Sequence, residues 1–495
     1  MNCFVLHVPF RLSRSPIPDP QSPIPYPRSE FLLNHLKTKI MKHLKFLISL
    51  VLILAVVFCF APTAWAFCGF YVAKADTKLY NKASQVAIAH SGDRTVLTMA
   101  NDYQGDVKDF AIVVPVPTVI QKEQVRVGNP KIIERLDAFS APRLVEYYDS
   151  DPCEPLYDRV MLQAAPAPSA ESQGQRRNSN QNLGVTVEAR FNVGEYDIVI
   201  LSAKESGGLE TWLIRNGYKI PRGAKQLLKP YIRQKMKFFV AKVNLEKFDQ
   251  TGYQNLRPLQ ISYQSPKFML PIRLGMINAA TDQDLIVYIL SPKGQAELTN
   301  YRTVKVPSDA NIPLFVKNEF GEFYKSMFQT AYTKEDRKVG FLEYAWDMGS
   351  CDPCSAEPLN SEELKEAGVF WLNDFPPNIN QSAPFRPSPV SNNVFITRLH
   401  IRYTRDKFPE DLVFQETSNR ENFQGRYILQ HPFTGEAKCQ AGREYKGSLG
   451  KRFEQEAQTL AKLTNWNIQD IRKKMNLNGQ VSVSWWRVLL SWIGL

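Results

Sequence analysis

The hydrophobic pattern of the chain begins with a stretch that has no period and then changes abruptly. Within residues 1–40, the segment 11–29 is a polar stretch broken by proline, with neither a helix nor a strand period. Residues 46–60 are apolar apart from Ser49, follow a short basic region and lead into an Ala-Trp-Ala motif at 64–66. This order is typical of a secretory signal peptide. We predict an over-extended start at 1–40, a signal peptide at 41–66 and a mature chain that begins near Phe67.

An uncleaved anchor is the alternative to cleavage. The segment 46–66 approaches the roughly 20 residues that cross a bilayer. A lipid anchor on Cys68 would need a small residue before the cysteine, and Phe67 stands there. We therefore expect an exported protein in the periplasm, envelope or extracellular space, with an anchored form as the alternative.

Most of the mature chain has the patterns of strands. Residues 84–90 and 94–100 flank a glycine-containing connection of hairpin length, and 109–116 is apolar enough for a strand that is buried on both faces. Further strands are predicted at 185–191, 195–202, 237–243, 259–263, 268–273, 284–290, 301–306, 394–403 and 425–430.

Helices are fewer and mostly short. Asn129 and Pro130 start one, and another at 209–215 ends at an Asn-Gly pair. A helical piece at 224–234 contains Pro230, which we expect to interrupt it. Apolar residues at helical spacing predict two closing helices, with Phe453, Ala457, Leu460 and Ala461 on one and Ile468, Ile471 and Met475 on the other.

Strands and helices do not alternate regularly, which favours an α+β fold with mostly antiparallel sheets, short helices and a C-terminal helical segment. Residues 163–183 are rich in Ala, Pro, Ser, Gln and Asn, which is typical of a linker. The predicted parts are an N-terminal α+β unit (67–156), a flexible linker (157–183), a β-rich unit (184–310), a C-terminal α+β unit (311–482) and a Trp-rich apolar tail (483–495).

The charge of the chain gives little reason to expect a nucleic-acid partner. The net charge of +12 falls to +7 without residues 1–66, which hold seven basic and two acidic side chains. A mild excess of this kind is that of an ordinary solvated surface. The tail is different, because Trp485, Trp486 and Trp492 lie among aliphatic residues and suit a membrane surface or an envelope partner. A terminal helix docked on the protein's own core is the alternative.

Five cysteines remain after residue 66, and two of them form the motif GSCDPCSAEPL at 349–359. The phrase SDPCEPL at 150–156 repeats most of this motif. In an oxidising compartment these cysteines should mostly pair, although five is an odd number. The candidate disulfide or redox residues are Cys68, Cys153, Cys351, Cys354 and Cys439.

The Cys-x-x-Cys motif admits a redox pair, a zinc site or a structural bridge. A reactive Cys-x-x-Cys pair lies at the start of a helix that follows a strand, and the flanking residues here do not have that pattern. The nearby acidic residues Asp347 and Asp352 also disfavour a thiolate. Zinc would need four ligands, and the mature chain has three scattered histidines. A bridge is favoured, either between Cys351 and Cys354 or from one of them to Cys153 or Cys439.

Other chemistry finds little support in the sequence. The motifs of zinc peptidases, serine hydrolases, phosphate loops and dinucleotide sites are missing, so no catalytic, cofactor-binding or metal-ligating residue is assigned and no cofactor is expected. Glu146, Asp149, Asp151 and Glu154 crowd the first echo turn. They could join the second turn at a Ca²⁺ site if the two turns were adjacent.

Several phrases of the chain resemble a family of exported bacterial proteins, domain of unknown function 2330. They are FCGFYVAKAD (67–76), LYNKASQVAIA (79–89), TVLTMANDYQGDVKDFAIVVPVP (95–117), SAPRLVEYYDSDPC (140–153) and WLIRNGYKIP (212–221). The resemblance implies an exported envelope protein with cysteines at corresponding phrases, and it supplies no functional residue. We expect a disulfide-stabilised, non-catalytic binding or scaffold module. The alternatives are a thiol-disulfide oxidoreductase that uses Cys351 and Cys354, and a carboxylate-dependent hydrolase.

Overall fold

A computed structural model describes most of the chain beyond residue 82. The described residues are 70–73, 83–100, 110–154, 185–216, 223–249, 251, 256–277, 282–350, 352, 355–372 and 393–477. They belong to one compact unit, Ala64–Leu495. The predictions for the over-extended start (1–40), the signal peptide (41–66), the linker (157–183) and the Trp-rich tail (483–495) fall outside the described residues.

The strands of the described chain are Phe70–Ala73 (β1), Ala83–Ser91 (β2), Arg94–Ala100 (β3), Phe110–Val116 (β4), Val125–Val127 (β5), Arg143–Tyr148 (β6), Val185–Val193 (β7), Tyr196–Ala203 (β8), Lys237–Val243 (β9), Leu259–Gln264 (β10), Met269–Leu270 (β11), Gln283–Ser291 (β12), Ala296–Leu298 (β13), Arg302–Lys305 (β14), Ala310–Asn311 (β15), Val339–Asp347 (β16), Phe395–Tyr403 (β17), Leu412–Glu416 (β18), Phe423–Gln424 (β19) and Arg426–His431 (β20).

The α-helices are Pro130–Ser140 (α1), Ser206–Arg215 (α2), Ala224–Arg233 (α3), Leu245–Asp249 (α4), Phe320–Lys334 (α5), Ser361–Glu366 (α6), Gln440–Thr464 (α7) and Ile468–Lys474 (α8). Short 3-10 helices lie at Lys122–Gln124, Arg273–Ile277 and Leu314–Glu319. Within the part of the chain that the structure describes, none of these helices combines the length and the apolar character needed to cross a bilayer.

A nine-stranded sheet forms the centre of the fold. Its strands lie in the order β14, β16, β17, β12, β2, β3, β10 and β5, with β19 paired to β16. Most pairs are antiparallel, while β2 and β12, and β14 and β16, run parallel. The sheet takes strands from all three of the units predicted from the sequence, so these segments share one sheet.

A second sheet packs against the first through the main apolar core. Its five antiparallel strands lie in the order β1, β4, β9, β8 and β7. Side chains from both sheets meet in this core, among them Leu97 and Leu285 from the first sheet and Ile112, Ile198 and Phe239 from the second. The two sheets therefore bury one face each against the other, as in a sandwich.

Helices cover the two outer faces. Leu209 of α2 and Leu228 of α3 pack on the far side of the five-stranded sheet. The far side of the nine-stranded sheet is covered in two parts, by α1 and α6 in one cluster and by α5, α7 and α8 in another. The result is four layers, helix, sheet, sheet and helix, which confirms the predicted α+β class with mostly antiparallel sheets.

Two small sheets extend this body. The strands β15, β20 and β6 are all parallel, and β11, β18 and β13 form an antiparallel trio. Because β6 and β20 run in the same direction, their carboxyl ends, Tyr148 and His431, lie side by side. This edge carries part of the candidate chemistry.

Several local predictions are confirmed and two are wrong. The β2–β3 hairpin, the buried strand β4 and helix α1, whose Asn129 side chain accepts a hydrogen bond from the Lys131 N–H, are as predicted. Pro230 does not interrupt α3, because burial of the flanking apolar face against the five-stranded sheet outweighs the lost backbone hydrogen bond. The strand predicted at 268–273 is reduced to β11, and a 3-10 helix follows it.

Candidate functional site

The outer face of the nine-stranded sheet carries a row of charged side chains. In β17, every second residue from Arg398 to Arg402 is basic, so Arg398, His400 and Arg402 point to one face. Helices α1 and α5 cover that face. We call these three side chains and their carboxylate partners Asp137, Glu343 and Asp284 the ionic ladder.

Glu343 is the central member of the ionic ladder and is 1% exposed. Its Oε2 accepts a hydrogen bond from Arg398 Nε at 2.6 Å. Its Oε1 lies 2.7 Å from His400 Nδ1 and also accepts the Tyr324 hydroxyl. The carboxylate thus joins two strands and helix α5 through a single side chain.

A β-bulge in β16 places Glu343 between its two basic partners. Leu342 pairs with Leu399 and Tyr344 pairs with Arg398, so Glu343 is the extra residue. A bulge lets two consecutive side chains face the same side of a sheet. Glu343 and Tyr344 can therefore both point toward the covering helices, which a regular strand would not allow.

The two ends of the ionic ladder are anchored on β12 and α1. Asp284 lies opposite Arg402 in the β12–β17 pair and accepts from its Nε at 2.7 Å and Nη2 at 2.9 Å. Asp284 Oδ1 also lies 3.1 Å from His400 Nε2. At the other end, Asp137 Oδ1 accepts from Arg398 Nη1 at 2.6 Å and from the Tyr288 hydroxyl at 2.8 Å.

The opposite charges of the ionic ladder stabilise one another's ionised forms, although the side chains are buried. Burial opposes ionisation of Glu343, but His400 and Arg398 outweigh it and lower the pKa of Glu343 to about 2. In the same way, His400 and Arg402 outweigh burial and hold the pKa of Asp284 well below its usual range. Burial disfavours the charged form of His400, yet Glu343 and Asp284 raise its pKa. Three cations then balance three carboxylates.

In this arrangement, both nitrogens of His400 are engaged by carboxylates, so the protonated ring can neither accept a proton from a substrate nor bind a metal ion. Both ring nitrogens face carboxylate oxygens, so an imidazolium donates two hydrogen bonds and has no lone pair to offer. Phe328 stacks on the ring at a centroid distance of 3.9 Å and covers one of its faces. The ionic ladder therefore joins helices α1 and α5 to the sheet.

A second group of charged side chains is more accessible and lies at the carboxyl ends of β6 and β20. His431 Nε2 lies 2.8 Å from Glu146 Oε2, and Lys317 Nζ lies 2.6 Å from Glu146 Oε1. These bonds from Lys317 and His431 lower the pKa of Glu146. The Tyr148 ring stacks on His431 at 4.3 Å and is 71% exposed.

Asp149 connects this edge to helix α7. Its carboxylate accepts hydrogen bonds from Gln430 Nε2, the Tyr445 hydroxyl and Arg452 Nη1, and they lower its pKa although partial burial opposes ionisation. Glu456, one turn beyond Arg452, is 3% exposed and lies 3.6 Å from Arg452 Nε. Burial raises the pKa of Glu456 to about 7.

A disulfide bond joins Cys153 to Cys439 beside this cluster. The two residues are separated by 286 positions, and their Cα atoms lie 5.9 Å apart. The bond ties the turn that follows β6 to the residue that caps α7. Of the other candidate residues, Cys68, Cys351, Cys354, Trp485, Trp486 and Trp492 lie outside the described residues. Since Cys153 and Cys439 are bonded to each other, neither is available to Cys351 or Cys354.

The described parts of the Cys-x-x-Cys turn are anchored to the sheet. Asp352 is 6% exposed, and its Oδ2 accepts from the Tyr344 hydroxyl at 2.9 Å and from Gln424 Nε2 at 2.7 Å. Asp347 forms an ion pair with Arg420 at 2.6 Å. Asp352 within the motif and Asp347 just before it are therefore both held in contacts with other parts of the protein.

The two echo turns lie at opposite ends of the β6–β20 pair. Asp352 contacts Gln424, just before β20 begins, whereas Cys153 follows the end of β6. At about 3.3 Å per residue, six residues separate these ends by roughly 17 Å. The condition for a shared calcium site is not met, and no cluster of three or more potential metal ligands occurs among the residues that the structure describes.

The third histidine among the described residues is enclosed between strands. His90 is 5% exposed, stacks on Phe268 at 3.8 Å and has its Nδ1 2.9 Å from Thr95 Oγ1. Burial and the nearby positive charge of Lys293 lower the pKa of His90 to about 4. His90 is therefore neutral at pH 7 and acts as a core residue.

A small cavity of about 120 Å³ lies between β14, α5 and α7. Its lining includes the apolar side chains of Val304, Met327 and Leu463, and two lysines border it, Lys305 and Lys334. Sites for drug-sized ligands measure about 300–1,000 Å³. This cavity has room for a side chain or a few waters rather than for a cofactor.

The family model of an uncharacterised protein conserved in bacteria matches residues 62–415, which is more than half of the 495-residue chain. This protein belongs to the DUF2330 family. No curated protein and no solved structure matches it.

The DUF2330 match contains every member of the ionic ladder and ends before Cys439. The ladder, the five-stranded sheet, the nine-stranded sheet apart from β19, and the Cys-x-x-Cys turn therefore lie within the DUF2330 region. Strand β20 and helices α7 and α8 lie beyond it, and the disulfide bond joins the matched region to them.

Reasoning from sequence did not identify the ionic ladder. The available signal was the pattern Arg-x-His-x-Arg in an otherwise apolar strand, which places three basic side chains on one face of the strand. Such cations require buried carboxylates as partners. Their identity could not be read from the sequence, because Asp137 and Arg398 are 261 residues apart and Glu343 faces the ladder through a bulge.

Proposed function

We propose that this chain is an exported, non-catalytic module of the bacterial cell envelope whose folded body is stabilised by disulfide bonding. The observation that carries this proposal is the bond between Cys153 and Cys439. Disulfides of this kind form and persist in oxidising compartments and are rare in the bacterial cytosol. The signal-peptide pattern at 41–66 supports the same location independently.

The contacts of the three described histidines support a non-catalytic role. His400 lies between two carboxylates, His90 is buried against Phe268, and His431 pairs with Glu146. A catalytic base needs a free lone pair near a nucleophile. These side chains act as ties between elements, which suits a binding or scaffold protein.

The Trp-rich tail is the proposed means of contact with a membrane surface or an envelope partner. Trp485, Trp486 and Trp492 lie among aliphatic residues, a composition found where a chain rests at an interface. A folded body held by internal bonds and a short apolar tail together make a module that rests on a surface.

Export can be tested with the full chain carrying a C-terminal tag in a bacterial host. We expect the tagged protein outside the cytoplasm, with an amino terminus near Phe67 and the Cys153–Cys439 bond intact by peptide mass mapping. Leu54→Arg, which places a charge in the apolar run, is the matched control and should leave the protein uncleaved and reduced. A reduced, uncleaved wild-type protein in the cytoplasm would refute the proposal.

The competing function, a thiol-disulfide oxidoreductase, gives a different result. It predicts reduction of insulin by the purified protein in the presence of a dithiol, with loss of the activity in Cys351→Ser. We expect equal rates for the wild type and this variant, both at the level of the dithiol alone. A wild-type rate well above that level, lost in the variant, would establish the oxidoreductase instead.

A further inference from the structure

The Cys153–Cys439 bond is accessible from solvent on one side. Cys153 lies in an exposed turn after β6, while Cys439 is partly buried at the start of α7. A thiol in solution can therefore reach the Cys153 sulfur more readily than its partner. Thiol-disulfide exchange depends on this access and on which sulfur leaves more easily as an anion.

The two sulfurs have different electrostatic surroundings. Cys439 is the N-cap of a 25-residue helix, and its Sγ accepts a hydrogen bond from the Gly442 N–H at 3.2 Å. A negative charge at this position is stabilised by the free N–H groups of the first turn. Cys153 lies between acidic Asp151 and Glu154, which disfavour a negative charge on its sulfur. Cleavage should therefore leave the charge on Cys439.

The turn can also open without loss of the fold. Asp149 is bonded to Gln430 on β20 and to Tyr445 and Arg452 on α7, four residues from the disulfide. These contacts hold the end of β6 against α7 independently of the sulfurs. Breaking the disulfide therefore releases a short turn rather than a whole layer of the structure.

We propose that the Cys153–Cys439 bond is a directional thiol-exchange site, attacked at Cys153 with Cys439 as the leaving group. An incoming thiolate forms a new S–S bond to Cys153 Sγ. The Cys153–Cys439 bond breaks, and its electron pair stays on Cys439 Sγ as a thiolate. A second thiol then attacks the mixed disulfide and is oxidised with the first, so two electrons pass to the protein and leave two reduced cysteines. The reductant class is a small thiol that is neutral or cationic, because Asp151 and Glu154 repel anions.

The test uses the purified full chain and cysteamine, a cationic thiol, under native conditions. After a short pulse the reaction is quenched with acid, free thiols are alkylated, and the modified peptides are quantified by mass spectrometry. We expect the cysteamine adduct on Cys153 and the alkyl group on Cys439, with a preference of about twofold to fivefold, as stabilisation at a helix N-terminus suggests. Equal adducts on both sulfurs, or no reaction before unfolding, would overturn the proposal.

A double variant, Asp151→Asn with Glu154→Gln, tests the electrostatic cause. Both changes keep side-chain size, and the asparagine side chain retains an oxygen that can accept the Cys153 N–H, as the Asp151 carboxylate does, so circular dichroism should be unchanged. We expect the share of adduct on Cys439 to rise, because Cys153 becomes a better leaving group. An unchanged ratio would show that acidity around Cys153 does not set the direction. The inference rests on the bond itself and not on export, so a cytoplasmic location would leave this result unaffected.

Discussion

Replacing Glu343 by glutamine removes one negative charge from the centre of the ionic ladder while keeping the size of the side chain. The Glu343 carboxylate accepts bonds from Arg398, His400 and Tyr324. A glutamine has a single acceptor oxygen, and its amide N–H groups would face donors. Arg398 and His400 would then be buried with one carboxylate fewer between them, so the cost comes mainly from uncompensated positive charge.

The pKa shift of Glu343 and the usual cost of breaking a buried ion pair give a similar loss of stability. The pKa of Glu343 falls from 4.5 to about 2 in the folded protein. At about 1.4 kcal/mol for each tenfold change in proton affinity, the ionised form contributes about 3 kcal/mol to the free energy of unfolding. Breaking a buried ion pair by removing one partner costs about 3–5 kcal/mol. We therefore expect Glu343→Gln to lose about 3 kcal/mol at pH 7.

The pH dependence has a definite sign. Because the pKa of Glu343 is lower in the folded state, its contribution is fully present above pH 4.5 and is lost as the pH falls through about 2. The difference between the wild type and Glu343→Gln should therefore be largest near neutral pH and should shrink toward pH 3.

Urea unfolding, followed by circular dichroism at several pH values, measures this difference. Glu322→Gln is the matched control, because Glu322 is on α5 but 71% exposed in its pair with Lys325. We expect no measurable change in that variant, as for most surface pairs. If Glu343→Gln behaves like Glu322→Gln, or if its loss does not vary with pH, the ionic ladder does not contribute as described.

Three further predictions concern other titratable groups and the tail. Glu456→Gln should stabilise the protein by about 1–3 kcal/mol at pH 8 and hardly at pH 4. Because the folded pKa of Glu456 is about 7, the wild type loses stability as the pH rises from 4.5 through 7, and glutamine does not. Equal unfolding free energies of the wild type and the variant at pH 8 would contradict this. His90→Gln should reduce the loss of stability between pH 6.5 and 4. Because the folded pKa of His90 is about 4, the wild type loses about 3 kcal/mol of its free energy of unfolding on acidification. An unchanged slope of unfolding free energy against pH, measured by urea titration, would argue against this. Deleting residues 483–495 should lower the fraction of protein that sediments with anionic liposomes. An unchanged fraction would contradict the proposed surface contact.

Local features of the fold follow directly from the sequence. The β2–β3 hairpin, the buried strand β4, the cap of α1 and the closing helices α7 and α8 are set by residues within one or two turns of each other. Periodicity and capping depend on residues that are close in sequence, so they can be predicted without knowing which elements a helix or strand packs against. The α+β class follows from the same patterns.

The layers and the pairing of side chains depend on contacts between distant parts of the chain. The parallel pairing of β2 with β12 joins segments about two hundred residues apart, and no periodicity indicates it. The partner of Cys153 proved to be Cys439, 286 positions away, because β6 and β20 run in parallel and end beside the start of α7.

The ionic ladder separates what the sequence predicts from what only the tertiary structure determines. An alternating Arg, His and Arg in β17 is enough to predict three cations on one face, because strand side chains alternate. Whether that face meets water or the interior, and which carboxylates balance the charges, is decided by the docking of α1 and α5 and by the bulge at Glu343. Charge balance in a buried site is a property of the assembled layers, and no single segment carries it.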